Sequence, residues 1–178
     1  GEPLVPVSVN ISRLDFELCD IFGYVEETRS EYKVPRSMLD LEITESALND
    51  NTGYIKRECD KMRALGYHIW LDDFGSGYSS LNSMADCDYD VLKLDLVFLR
   101  SLDRNPKTEK IMTYIINGAR GLGLEPLCEG VETARHYEFL KKTGCERAQG
   151  YYFGRPMSLE ETRAYTRGRG LEWEHYEL

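Results

Sequence analysis

The stretch 69-IWLDDFGSGYSSL-81 sets an apolar run directly before two adjacent carboxylates and a loop rich in glycine and hydroxyl groups. Ile69, Trp70 and Leu71 read as a buried strand, because a short apolar run bounded by turn residues suits a sheet covered on both faces. Neighbouring side chains on a strand point to opposite faces, so Asp72 and Asp73 serve one site only where the strand is ending and the backbone turns. Gly75 and Gly77 permit the tight or left-handed turn that this requires.

Working outward, "VPVSVNIS" alternates Val5, Val7, Val9 and Ile11 at period two, a strand signal, and Ser12 is placed to cap a helix running to about residue 30. "MLDLEITE" predicts a second strand. A helix is expected over 53–65, with Ile55, Met62 and Leu65 at helical spacing and Gly66 as its terminal glycine. "YHIWLDD" and "DYDVLKLD" predict a third and a fourth strand. "TEKIMTYIINGARGLG" predicts a helix with Ile111, Ile115 and Leu122 along one face. "LEPLCEG" is a fifth strand, "ARHYEFLKKTGC" a helix and "RAQGYYFG" a sixth strand, and Ser158 caps a last helix to about residue 166. Strands alternating with helices imply parallel β-α units in an α/β fold. No internal repeat, low-complexity tract or linker divides the chain.

With 178 residues, 42% hydrophobic and 30% charged, the chain can bury a substantial core. A formal net charge of −9 excludes general affinity for a nucleic-acid polymer, which demands clustered Lys and Arg. Five cysteines, Cys19, Cys59, Cys87, Cys128 and Cys145, form an odd set without a CxxC pair, which suits a reducing compartment better than a disulfide framework. No apolar run approaches the roughly 20 residues that cross a bilayer. The expectation is a cytoplasmic segment without membrane contact, free or as the cytoplasmic part of a membrane-anchored or multidomain protein.

Each predicted strand carries a polar residue near its C-terminal end: Asn10, Glu42, Asp72 with Asp73, Lys93, Glu129 and Gln149. In a parallel barrel these ends share one face, so residues 20 to 36 positions apart in sequence converge. Packed carboxylates raise one another's pKa unless positive charge lies between them, so Glu42, Asp72, Asp73 and Glu129 imply divalent cations. Hard oxygen ligands suit Mg²⁺ or Mn²⁺, whereas zinc usually takes His or Cys. His68, His136 and His175 are away from the strand ends and read as surface or packing residues. Two metals about 3.5 to 4 Å apart are the usual clamp for phosphodiester hydrolysis, with Asp72 between them and Asp73 reaching one from the side.

"VSVNIS", "LEITES", "LDDFGSGYSSL", "VLKLD", "CEGVET" and "AQGYYFGRP" resemble, in order and spacing, the EAL domain family of cyclic-di-GMP phosphodiesterases. The resemblance implies a TIM-like (β/α) barrel that hydrolyses cyclic di-GMP to linear pGpG with two Mg²⁺ or Mn²⁺ ions. By the same resemblance, Asn10, Glu42 and Asp72 ligate one metal, and Asp72, Asp73 and Glu129 the other. Lys93 corresponds to the lysine at the water and phosphate, and Gln149 to the residue that orients the water. Glu45 corresponds to the glutamate that holds the loop after the paired aspartates, and Glu132 to a second supporting acid. Homodimerisation through that loop and its helix is also implied.

The family's preceding segment, with two strands and the Glu-Ala-Leu signature, has no counterpart before the strand of Asn10. The chain 1–178 is therefore expected to hold about six of eight barrel strands, the C-terminal three quarters of the domain. Unpaired edges are expected at the strands over 5–11 and 149–153, covered by another copy, rearranged or poorly ordered. Weak or absent hydrolysis is expected of the fragment, with activity in the parent. The alternative is a catalytically degenerate module that binds cyclic di-GMP or a protein partner as a regulator.

Overall fold

In the computed structural model, which describes residues 6–48, 52–76, 84 and 88–170, six parallel strands form one sheet in chain order. They are β1 (Val7–Ile11), β2 (Leu39–Thr44), β3 (His68–Phe74), β4 (Val91–Leu94), β5 (Glu125–Cys128) and β6 (Arg147–Ala148). Between and after them come α1 (Arg13–Leu18), α2 (Ile21–Glu31), α3 (Glu45–Leu48), α4 (Thr52–Ala64), α5 (Val97–Leu102), α6 (Pro106–Gly121), α7 (Ala134–Thr143) and α8 (Leu159–Arg169). The order follows from short β-α connections, each returning the chain to the next parallel position. It is the expected open part of a (β/α) barrel. Among the described residues β1 pairs only with β2, and β6 only with β5.

Period-two alternation divides β2 to β5 between two environments, whereas in β1 Val7 to Asn10 are all exposed. One set, with Leu41, Ile43, Ile69, Leu71, Leu92, Leu94 and Cys128 all fully buried, packs beneath the helices with Ile55, Met112 and Ile116. Each such aliphatic side chain contributes roughly 1.5–3 kcal/mol on leaving water. The other set faces the concave side, where Trp70, Val91 and Leu127 form a separate small cluster. This cluster divides the concave side into two polar levels. Toward the N-terminal strand ends, Asp40, His68, Glu125 and Arg147 line a cavity of about 120 Å³ with Trp70. Toward the C-terminal ends stand the predicted site residues.

Several expectations are corrected. The helix predicted from Ser12 to about residue 30 is two helices, because Cys19 is extended (φ −154°, ψ 168°) and Asp20 caps a fresh start by accepting from the Gly23 N–H. The apolar face of α6 is shifted: Thr108, Met112, Ile116 and Ala119 are buried, while Ile111 and Leu122 are 49% and 61% exposed. Leu65, too, faces solvent. The sixth strand ends before Gln149, and 151–153 form a turn instead. That turn is fastened to the loop after β5: the Val131 N–H donates to the Gln149 carbonyl (3.0 Å) and the Tyr152 N–H to the Val131 carbonyl (2.9 Å). Ser158 caps α8 as expected, through a reciprocal pair with Glu161, and the helix runs on to Arg169. Among the described residues no helix is long and apolar enough to cross a membrane.

Candidate active site

Lys93 lies on β4 with its side chain 6% exposed, and its ammonium reaches three carboxylates from three other strands or strand ends. It donates to Glu42 Oε2 on β2 (2.6 Å), Asp72 Oδ1 on β3 (2.9 Å) and Glu129 Oε1 after β5 (2.9 Å). The parallel register makes this convergence possible: Glu42 pairs beside Trp70, two residues before Asp72, and Lys93 pairs beside Leu127, two residues before Glu129. Asn10 pairs beside Glu42. With its amide nitrogen turned inward, it donates to Glu42 Oε2 (3.1 Å) and Asp72 Oδ2 (3.2 Å). Burial pulls the Lys93 ammonium toward neutrality, but the hydrogen bonds to Glu42, Asp72 and Glu129 outweigh it and its pKa is raised.

The paired aspartates do not mark the end of β3. The strand continues to Phe74 through a bulge: from Leu71 to Phe74 takes three steps, against two from Leu92 to Leu94 on β4. The extra residue lets adjacent carboxylates approach one centre. Asp73 adopts φ +58°, a left-handed conformation uncommon for a residue with a side chain. Its N–H donates to Asp72 Oδ1 at 2.8 Å. Burial first, then the charges of Asp72 and Asp95, push its carboxyl up, against the opposing pull of Lys93.

Of the remaining predicted residues, Glu45 opens α3 and is 8% exposed, directly after the Thr44 beside Asp72. Gln149 and Glu132 are exposed, and neither is among the carboxylate or amide groups that meet Lys93. Glu132 is fixed through its backbone: its N–H donates to His136 Nδ1 (3.4 Å), while His136 Nε2 faces Asp103 Oδ2 (3.0 Å). His136 is therefore a packing residue, as expected of it. His68 lies at the start of β3, paired with Asp40 (3.2 Å). His175, Gly77 and the remainder of the loop through residue 83 lie outside the described residues.

One acid was missed by sequence reasoning. Asp95, two residues after Lys93, accepts from the Val97 N–H (2.7 Å) just ahead of the next helix while acting electrostatically on Asp73. The third residue of "KLD" was the available signal.

Four carboxylates and one ammonium leave this centre with excess negative charge. Among the described residues no group of three or more His, Cys, Asp or Glu is arranged to hold a metal ion as it stands. The Lys93 ammonium takes the central place. By the chemistry of its donors, carboxylate and amide oxygens beside an uncompensated charge, the set fits a hard divalent cation.

An open parallel β-α barrel with carboxylates and a lysine at the C-terminal strand ends has the general design of a barrel enzyme. The EAL domain model matches residues 2–156, and the chain belongs to that family. Cyclic di-GMP phosphodiesterase PdeR of Escherichia coli (strain K12) is 36% identical over 151 residues, 85% of this chain and 23% of that protein. The crystal structure of the EAL domain of Mycobacterium smegmatis DcpA superposes with a TM-score of 0.83 at 30% identity, covering 92% of this chain and 73% of that one. The PaMucR phosphodiesterase in complex with c-di-GMP superposes with a TM-score of 0.82 at 33% identity, covering 88% and 64%. The chain spans about a fifth of the length of the curated relatives it matches.

Proposed function

We propose that this chain carries the metal-binding and catalytic side of a phosphodiesterase that hydrolyses cyclic di-GMP to linear pGpG. The grip of Glu42, Asp72 and Glu129 on the Lys93 ammonium is the observation that carries this reading. Similarity to PdeR, and to a phosphodiesterase solved with c-di-GMP, supports the substrate. Asn10, Glu42, Asp72, Asp73 and Glu129 are the residues that would hold two divalent cations, Mg²⁺ or Mn²⁺. Bound there, the cations would supply charge neutralisation at the phosphate and an acidified water.

The residues of the chain do the rest. Lys93 holds positive charge where negative charge grows on the phosphate oxygens, in a site shielded from water. Glu42, Asp72 and Glu129 keep that ammonium protonated and aimed. Gln149, carried on the turn fastened to Val131, orients the attacking water. Glu45 supports the loop after the paired aspartates, and Glu132 the turn after Glu129. In the net reaction one water is consumed, one phosphodiester P–O bond breaks and the freed ribose oxygen takes a proton. In the whole protein the domain acts as a homodimer.

The test is incubation of the chain, and of a longer form with the preceding segment, with cyclic di-GMP and Mg²⁺ or Mn²⁺, followed by chromatography for pGpG. Metal-dependent pGpG formation, weak in the chain alone and lost in Glu42→Ala or Lys93→Ala, is expected. Tight binding of cyclic di-GMP by the longer form without any turnover would sink the reading.

A further inference from the structure

The turn after Lys93 runs through Asp95, Leu96, Val97 and Phe98 into α5, and it lies between the turns that carry Asp73 and Glu129. Backbone hydrogen bonds tie it to both. The Asp95 N–H donates to the Phe74 carbonyl (3.1 Å), and the Glu129 N–H donates to the Leu94 carbonyl (3.0 Å). Side chains of the same turn then press on two glycines. Gly75, two residues after Asp73, has φ +94°, and a Cβ there would stand 2.1 Å from Phe98 Cε2. Gly130, directly after Glu129, has φ +73°, and a Cβ there would stand 2.5 Å from Leu96 Cβ. Phe98 is half-buried and packs against the main core, which anchors its ring over Gly75.

We propose that Phe98 and Leu96 are positioning residues for the metal-binding carboxylates. By filling the space over Gly75 and Gly130, they fix the two turns that aim Asp73 and Glu129 at the centre around Lys93. This rests on the phosphodiesterase reading of the site. A residue with a side chain persists in the left-handed region only where its surroundings hold it there. The Phe98 ring stands against Gly75, two residues beyond Asp73, and so acts on the left-handed turn through the chain. The turn after β4 thus sets, from behind, the geometry of ligands borne by β3 and β5. A ring that merely fills core would stabilise the fold without changing what the carboxylates bind.

The experiment compares the wild-type chain with Phe98→Ala and Phe98→Leu, below the melting transition of each. Mn²⁺ affinity is measured on the chain from the electron paramagnetic resonance signal of the free ion, and kcat and KM for cyclic di-GMP on the longer form with the preceding segment, carrying the same substitutions. Disturbing the support of metal ligands typically costs 10–100-fold in affinity. Phe98→Ala should weaken Mn²⁺ binding about tenfold and lower kcat about tenfold with KM nearly unchanged, and Phe98→Leu should recover most of both. Wild-type Mn²⁺ affinity in Phe98→Ala, with only the melting temperature lowered, overturns the proposal. If Phe98→Ala does not fold, Gly75→Ala tests the contact from its other side, and unchanged affinity there overturns it equally. If the longer form with the preceding segment binds Mn²⁺ and cyclic di-GMP but forms no pGpG, the phosphodiesterase reading fails while the affinity comparison still decides the role of Phe98. Absence of Mn²⁺ binding by the wild-type chain overturns both.

Discussion

Removing the Lys93 ammonium leaves Glu42, Asp72 and Glu129 facing one another in a largely dry setting. Breaking a buried ion pair by deleting one partner typically costs about 3–5 kcal/mol, because the remaining charge is uncompensated. Lys93→Met, which keeps the bulk, should therefore lower stability by about that amount in urea unfolding. Added Mn²⁺ should restore Lys93→Met more than it stabilises the wild type, since an ion could then take the vacated centre. Equal stabilisation of both by Mn²⁺ would count against a shared centre. At this scale the sequence is informative because polar residues at strand ends have few structural reasons to recur. The clustering of Asn10, Glu42, Asp72, Lys93 and Glu129 is legible from spacing alone. The bulge that admits Asp73 is not, since an extra residue shows only against the register of β4. Asp95 hides for a related reason, as an acid at a helix start reads first as a cap.

Between elements, α2 is held by one carboxylate. Glu26 accepts from Arg29 (2.7 Å), Arg36 (2.5 Å) and the Tyr67 hydroxyl (2.6 Å), which joins the helix to the segment before β2 and to the residue before β3. The Arg36 and then the Arg29 guanidinium hold the Glu26 carboxyl well below the usual carboxylate range. Its folded-state pKa is depressed, so the stability it supplies is present above the unfolded value of about 4.3 and is lost as pH falls below it. Urea midpoints between pH 7 and pH 3 should fall less steeply in Glu26→Gln than in the wild type. Burial, with the Glu26 carboxylate beside it, pushes the Tyr67 phenol up to about 12, so its contribution holds to pH 10 and fades as pH rises toward that value. Element type and order could be read from periodicity. The facing of α6 could not, because Ile111 and Met112 are both apolar and only the neighbouring strands select Met112. The early end of β6 was likewise invisible, since "QGYYF" has strand composition while the Gln149 carbonyl and the Tyr152 N–H bond to Val131 and the Phe153 N–H turns back to the Gly150 carbonyl.

For the described residues as a whole, the outer edge of β1 is the outstanding feature. Val7 and Val9 are 60% and 40% exposed on a strand that, among the described residues, pairs only with β2. Such an edge offers unpaired backbone groups beside apolar side chains, the usual template for association between chains. Light scattering of the chain should show concentration-dependent association, and Val9→Lys should suppress it without moving the melting temperature appreciably. Persistent association in Val9→Lys would place the contact elsewhere. That the strands form an incomplete barrel was legible only through the family resemblance, which supplies the count of eight. The division of its concave side into two polar levels was not, because Trp70, Val91 and Leu127 are far apart in sequence and look like ordinary core. Trp70 has an optical consequence: its indole lies two residues before Asp72, about 7 Å along the strand. Paramagnetic Mn²⁺ entering the site should quench its emission, whereas diamagnetic Mg²⁺ should leave it bright. With the second tryptophan removed as Trp173→Phe, the chain becomes an unlabelled optical sensor of its own metal centre.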